Sequence, residues 1–315
     1  MAGVAAGAAR RMIPLDAVLA RIPEWRGRAL EAEPLAGGMT NRNYRVRVDG
    51  RAYVVRIPGA DTAVLGIDRR NEHHNTCAAA AAGVGPRVVH YLPDLDVMVT
   101  EFLEGRALTA ADLQAPGMPA RVAALLRELH AAPRFLHDVD MFDLVDRYLA
   151  VAAARGIPLF ADYRRRLPAL RAIHARLAAA AGPRVPCHND LLPENYIDDG
   201  RRLRAVDYEY SGNGDPAFDL GNTCLELGYD APRVEALAAA YFGRPAESAL
   251  ARVRLHMIVS DAVWALWAVV QSRISRLELD YWRYGLDRWT RAQAGLDAPV
   301  LREWLAALDA PRSPA

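Results

Sequence analysis

The chain has 315 residues, 52% of them hydrophobic, and 39 basic residues stand against 38 acidic ones for a formal net charge of +1. Such hydrophobicity with so little net charge excludes a disordered chain, and the even balance leaves no field to gather nucleic acid or anionic lipid. The length suggests two domains on a scale of about 150 residues each. The apolar stretch from Val263 to Val270 falls far short of the roughly 18 residues a bilayer span needs, so no membrane insertion is expected. Every basic residue is arginine. Any cationic role therefore falls to a guanidinium that stays protonated. Cys77, Cys187 and Cys224 are widely spaced without a C-x-x-C pair, which fits a reducing cytoplasm and no metal knuckle. In Met1 to Arg11 the arginines follow the small residues, so residues 1–12 are expected to be a loose start and not a signal peptide.

In chain order, Tyr44 to Val48 alternates with arginine, Gly50 turns, and Tyr53 to Ile57 returns, which predicts a β-hairpin. Asp68 to Ala82 predicts a helix with Asp68 as N-cap and Gly83 as stop. Val88 to Leu92 and Val97 to Phe102 predict two more strands around a Pro93-Asp94 turn. After Gly105 the composition shifts to long Ala/Leu/Arg helices broken by Pro116, Pro133, Pro158 and Gly182-Pro183. That shift sets the expected boundary: residues 1–104 as one lobe and 105–315 as a helical one. Between Val185 and Asp219 a polar insert rich in Asp, Asn, Glu and Pro interrupts the helices, which resume at Pro216.

The insert carries the chemistry. It reads Cys187-His188-Asn189-Asp190-Leu191-Leu192-Pro193-Glu194-Asn195, an H-x-D-x-x-x-x-N pattern, followed twelve residues later by Asp207 after the apolar Leu203 to Val206. Asp and Asn are common turn residues, so the loop alone is a weak signal. The second carboxylate at that distance makes it the spacing of a kinase catalytic loop and its metal-binding Asp. Phosphoryl transfer needs an acceptor hydroxyl held in line and Mg²⁺ to neutralise the phosphates. Asp190 would take the hydroxyl proton, Asn195 and Asp207 supply hard oxygen ligands, and His188 would brace the loop. Asp215 before Pro216 predicts a helix N-cap. Asp219 is expected to be a buried carboxylate bonding the backbone of the loop.

With these residues in view the chain resembles the choline/ethanolamine kinase family, within the aminoglycoside-phosphotransferase-like kinases. The matching segments are Gly37 to Tyr44, Tyr53 to Gly59, His188 to Asn195, Asp207 to Gly212 and Phe218 to Asn222. The most selective is Trp264-Ala265-Leu266-Trp267 through Gln271 to Asp280–Tyr284. The resemblance implies an α+β, two-lobed protein-kinase-like fold, with a small β-rich N-lobe and a larger, mainly helical C-lobe. It implies ATP and Mg²⁺ as cofactors, with Gly37, Gly38, Asn41 and Asn43 in the loop that covers the nucleotide. Arg56 would grip its phosphates and pair with Glu72, and Glu101 to Leu103 would be the hinge that takes adenine. The metal would be held by Asn195, Asp207 and Glu209.

Tryptophans three apart on a helix are more often core packing, but the resemblance through Gln271 and Tyr284 implies that the aromatic residues here bear on the acceptor. Trp264 and Trp267 are three apart on a helix and share a face, and Tyr281 and Tyr284 repeat the spacing. A trimethylammonium group has no N–H to donate and is held by aromatic faces at about 0.5 to 2 kcal/mol per contact. Tyr210 and Glu209 would complete the box, and Trp282 and Trp289 are expected in packing. Where eukaryotic members carry a Tyr-rich loop, this chain has Gly212–Pro216, which leaves the pocket's outer wall unassigned. The expected activity is phosphorylation of choline, a small-molecule amino alcohol, by a cytoplasmic enzyme. Ethanolamine, an aminoglycoside or another amino alcohol is the nearest rival, and a catalytically silent nucleotide- or amine-binding module is the rival of another class. The oligomeric state is not legible.

Overall fold

Strand alternation organises the first hundred residues. The computed structural model describes residues 13–35, 38, 40–59, 62–243, 247–275 and 277–309. The expectations for residues 1–12 and for Gly37 lie outside the described residues. A short helix α1 (Leu15–Leu19) leads to strands β1 (Leu30–Leu35), β2 (Asn41–Val48) and β3 (Arg51–Pro58). Helix α2 (Arg69–Ala81) and strands β4 (Val88–Leu92) and β5 (Val97–Glu101) follow. The five strands form one antiparallel sheet in the order β1-β2-β3-β5-β4. Because side chains alternate across a strand, Val46, Val48, Val55, Ile57, Val97 and Val99 share one face and pack against Val18, Ile22 and Trp25. The register that pairs Asn43 with Arg56 and Arg56 with Met98 puts those three on the opposite face. A one-residue slip would bury Arg56 in the valine core.

Helix α2 is capped as the sequence predicts, by the Asp68 carboxylate accepting from Arg70 N and Asn71 N, worth about 1 kcal/mol. The face it buries is polar: Arg69, Asn71, Glu72, Asn75 and Thr76 are all buried. Asn71 and Asn75 donate to Ser211 O at 2.8 and 3.1 Å, so the helix is fastened to the polar insert by hydrogen bonds. Gly105 then carries the chain onward at φ +138°, where a Cβ would lie 2.6 Å from Asp198 O. Only glycine passes there.

Beyond it come β6 (Arg106–Ala107), α3 (Ala110–Leu113), α4 (Met118–His130), α5 (Asp143–Arg155) and α6 (Tyr163–Ala179). The insert folds as β7 (Val185–Cys187), β8 (Tyr196–Asp198), β9 (Leu203–Ala205) and β10 (Gly212–Gly214). Helices α7 (Pro216–Glu226), α8 (Ala231–Phe242), α9 (Glu247–Ile274), α10 (Tyr281–Asp297) and α11 (Leu301–Ala307) complete the chain. Strands β6, β8 and β9 form one small sheet and β7 with β10 another, so the catalytic-loop motif bridges two sheets. Helix α9 is the axis, packed by α5, α6, α7, α8, α10 and α11. Over its 28 residues it is the one described helix long and apolar enough to cross a membrane, but 89% of its apolar window is buried in the protein. The Gly212–Gly214 segment is a buried strand paired with β7.

Candidate active site

The loop after β7 is built around a buried carboxylate. Asp219, near the start of α7 and fully buried, accepts from His188 N at 2.8 Å and Asn189 N at 2.7 Å, and pairs with His130 Nε2 at 3.1 Å. The sequence placed Asp219 in that role. Asn189 and Asp207 both take left-handed φ, 70° and 74°. Asn and Asp tolerate that region best, and such strain concentrates at functional sites. His188, also fully buried, sets its Nε2 2.9 Å from Val206 O and accepts at Nδ1 from Asp190 N at 3.3 Å. These bonds place its proton on Nε2. Burial lowers its pKa and keeps the ring neutral. It is a brace between the catalytic loop and the Asp207 loop.

Asp190 is held by its own backbone. Its carbonyl accepts from Asn195 Nδ2 at 2.8 Å, and the next residue, Leu191, donates its N–H to Asn222 Oδ1 at 2.9 Å. Burial, then the charges of Asp207, Glu226 and Glu209, push the Asp190 carboxyl well above the usual range, against the pull of Arg288. With Nδ2 committed, Asn195 keeps Oδ1 as the atom available to a ligand. Asn195 and Asp207 line one cleft of about 290 Å³ together with Gly38, Asn43, Arg56, Glu72, Glu101 and Leu103. The sequence-predicted nucleotide residues that the structure describes are thus gathered around one space, except Asn41.

Asn41 donates instead to Glu209, which is the hub of a buried ionic cluster. Glu209 accepts from Thr40 Oγ1 at 2.6 Å, Asn41 Nδ2 at 2.8 Å, Arg56 at 3.1 Å and Arg69 at 3.0 Å. Arg56 also pairs with Asp207 and lies 2.7 Å from Glu72, which Arg69 meets at 2.6 Å. Burial alone would lower the pKa of both arginines, but the carboxylates overcome it and raise both. Both Glu209 oxygens accept hydrogen bonds, so this residue ties the loop before β2 to the Asp207 loop, with carboxylate oxygens of Glu72, Asp207 and Glu209 within 4.8 Å of one another. Two guanidiniums against three carboxylates leave one negative charge uncompensated. That charge and the free oxygens of Asn195 and Asp207 suit a hard divalent cation. Arg69 was missed because it belongs to no motif, and Thr40, inside the Gly37–Tyr44 segment, was not singled out there; the fold alone brings both to Glu209.

The predicted rings do converge. Trp264 and Trp267 on α9 are 6.0 Å apart, Tyr210 is 5.0 Å from Trp264, and Tyr281 and Tyr284 lie 5.7 and 6.2 Å from Trp267. Trp267 Nε1 donates to the Tyr210 hydroxyl at 2.9 Å. Burial, then the charges of Glu226 and Asp190, push the Tyr284 phenol up against the pull of Arg288. Gly285 makes the arrangement possible, since a Cβ there would lie 2.7 Å from Ala268 Cβ. Trp289 is packing as expected, 1% exposed, but Trp282 is 38% exposed and only leans on Phe160. Glu226 and Arg288, which pair with each other and reach the loop through Asn222, carry no motif that would have singled them out.

A small β-sheet lobe over a helical one, with an H-x-D-x-x-x-x-N loop and a second Asp at the cleft between them, is the protein-kinase-like arrangement of an alcohol phosphotransferase. The phosphotransferase enzyme family (APH) model matches residues 31–256, and the chain belongs to that family, among its choline/ethanolamine kinases. A choline/ethanolamine kinase family protein from Mesorhizobium loti is 34% identical, covers 93% of this chain and 97% of its own, and superposes with a TM-score of 0.81. The choline kinase LicA from Streptococcus pneumoniae, at 27% identity, covers 84% of this chain and 92% of its own with a TM-score of 0.71. Ethanolamine kinase 2 of Rattus norvegicus is 27% identical over 302 residues, 85% of this chain and 77% of that protein.

Proposed function

We propose that the protein transfers the terminal phosphoryl group of ATP to the hydroxyl of choline, giving phosphocholine. The observation that carries this reading is the convergence of Tyr210, Trp264, Trp267, Tyr281 and Tyr284, joined to the catalytic loop where Asn189, the residue before Asp190, donates its Nδ2 to Tyr210 O at 2.9 Å. Aromatic faces hold a quaternary ammonium that offers no hydrogen bond. Residues up to 104 are then the nucleotide lobe and residues 105–315 the acceptor lobe. Asp190 accepts the hydroxyl proton as the oxygen attacks, with the loop fixed by His188 and Asp219. Arg56, oriented by Glu72, faces the phosphates, and Glu101 and Leu103 border the adenine end. Asn195 and Asp207 would hold Mg²⁺, which when bound neutralises phosphate charge.

Ethanolamine is the second reading. It is favoured by Glu226, a carboxylate linked through Asn222 to the backbone just beyond Asp190, which could accept from an ammonium N–H. The test follows ADP release from ATP and Mg²⁺ with choline, ethanolamine and kanamycin in parallel. Choline-dependent turnover at least tenfold above the others supports the reading; turnover with ethanolamine or kanamycin alone keeps the kinase and returns the tryptophans to packing. Choline binding without ADP release would make the chain a silent module.

A further inference from the structure

Arg288 is a cation set among the rings of the acceptor cluster. It lies on α10 one turn beyond Tyr284 and is 3% exposed. Its guanidinium carbon is 4.6 Å from the Tyr284 ring centre, and Nη2 donates to the Tyr284 hydroxyl. Two carboxylates hold it from neighbouring helices. Nη2 pairs with Glu226 at the end of α7, and Nη1 lies 3.4 Å from Asp261 on α9. Asp261, 1% exposed, is also gripped by Arg291 through bonds of 2.9 and 2.6 Å.

From Glu226 the contacts run into the catalytic loop. Asn222, one turn earlier on α7, is fully buried, donates to Ser260 Oγ at 3.1 Å and reaches Glu226 Oε1 at 3.5 Å. Its Oδ1 accepts the backbone N–H of Leu191, the residue after Asp190. Tyr284, Arg288, Glu226, Asn222 and Leu191 thus form one continuous polar path from the acceptor rings to the loop.

Stability is a poor reason for this path. A buried ion pair is often no more stable than a well-packed apolar replacement. Arg288 also leaves its buried Nε–H without a partner among the described residues, a cost an apolar side chain would not carry. What a guanidinium supplies that an apolar residue cannot is a rigid planar fork, able to fix a phenol and a carboxylate at set angles. We propose that Arg288 is the positioning residue of the acceptor pocket. It fixes Tyr284 and Glu226 relative to the Leu191 backbone, and so sets where the acceptor hydroxyl comes to rest against Asp190. The inference rests on the acceptor reading above.

The test is steady-state kinetics with acceptor and ATP varied separately, plus melting temperatures, for the parent chain, Arg288→Met and Arg288→Lys. A Glu226→Gln/Arg288→Met double variant, in which both charges are removed together, serves where Arg288→Met alone does not fold. Arg288→Met is expected to lose tenfold or more in kcat/KM for the acceptor while KM for ATP stays within twofold. Arg288→Lys, which keeps the charge without the fork, is expected to recover only part, and the double variant to fold with the acceptor defect intact. A loss shared equally between acceptor and ATP, or a lower melting temperature with unchanged kinetics per folded molecule, overturns the inference. A parent chain that phosphorylates no amino alcohol overturns the acceptor reading and this inference with it. An active parent matched by Arg288→Met overturns this inference alone.

Discussion

Asp190 and Trp267 divide the proposed reaction between them, one serving the proton and the other the acceptor's head group. Asp190→Ala removes the group that takes the hydroxyl proton and is expected to lower kcat by about 10²- to 10⁴-fold. ATP affinity, measured by calorimetry, should stay nearly intact, because Asp190 is not among the residues lining the nucleotide cleft. Unchanged turnover would remove Asp190 from the mechanism. Trp267→Leu deletes a ring that touches Tyr281 and Tyr284 and a donor to Tyr210. If that ring holds a cation, KM for choline should rise by roughly 2- to 30-fold, the equivalent of 0.5 to 2 kcal/mol. KM for ATP should not follow it. A variant whose only change is a lower melting temperature would show the ring to be packing.

At the scale of elements, helix α7 supports the loop that carries Asp190. Asp219 near its start satisfies two backbone N–H groups of that loop at once. Asp219→Asn has one oxygen to offer where there were two, so one buried N–H loses its acceptor at a cost of about 1–3 kcal/mol. The expected outcome is a lower melting temperature together with a lower kcat, read by calorimetry and ADP release; no change in either would make the two bonds dispensable. Elements of this kind were legible in the sequence when their residues were contiguous. The β2–β3 hairpin, capped α2, the H-x-D-x-x-x-x-N loop and Asp219 all declared themselves through alternation, capping residues or spacing. Strand β1 did not, because Glu31, Glu33 and Pro34 read as loop and its burial is slight. Arg69 and Arg288 did not, because a helical arginine reads as a solvated surface residue until the fold surrounds it with Glu72 and Glu209 or with Glu226 and Asp261. Trp282 misled in the opposite sense, since a tryptophan beside a buried tyrosine reads as core while its place on the polar face of α10 leaves it 38% exposed.

Over the whole molecule, one half-buried pair joins distant parts of the helical region and responds to pH. His174 on α6 lies 2.8 Å from Asp140, just before α5. The hydrogen bond to Asp140 raises the histidine above its ordinary 6.5. Burial would raise Asp140, but the His174 bond, the Phe142 N–H and the nearby positive charges together hold the carboxyl below its ordinary 3.8. The histidine's contribution is complete below 6.5 and is lost as pH rises through its elevated value. The carboxylate's contribution is complete above 3.8 and is lost as pH falls through its depressed one. The pair therefore helps most between those two ordinary values. Melting curves of the parent and His174→Gln from pH 5 to about 8.5 should converge as pH rises, and a constant separation would show that the pair does not titrate within folding. A different consequence follows from Gly285. With α10 lying against α9 so closely that a methyl group at 285 would strike both Ala268 and Phe160, the separation of the two helices that carry Trp264, Trp267, Tyr281 and Tyr284 is set by backbone contact. Trimming a tryptophan would open space between these helices without moving them apart. If the rings hold the acceptor, accommodating a bulkier alcohol would have to begin with the helices separating, a change that no single side-chain substitution supplies.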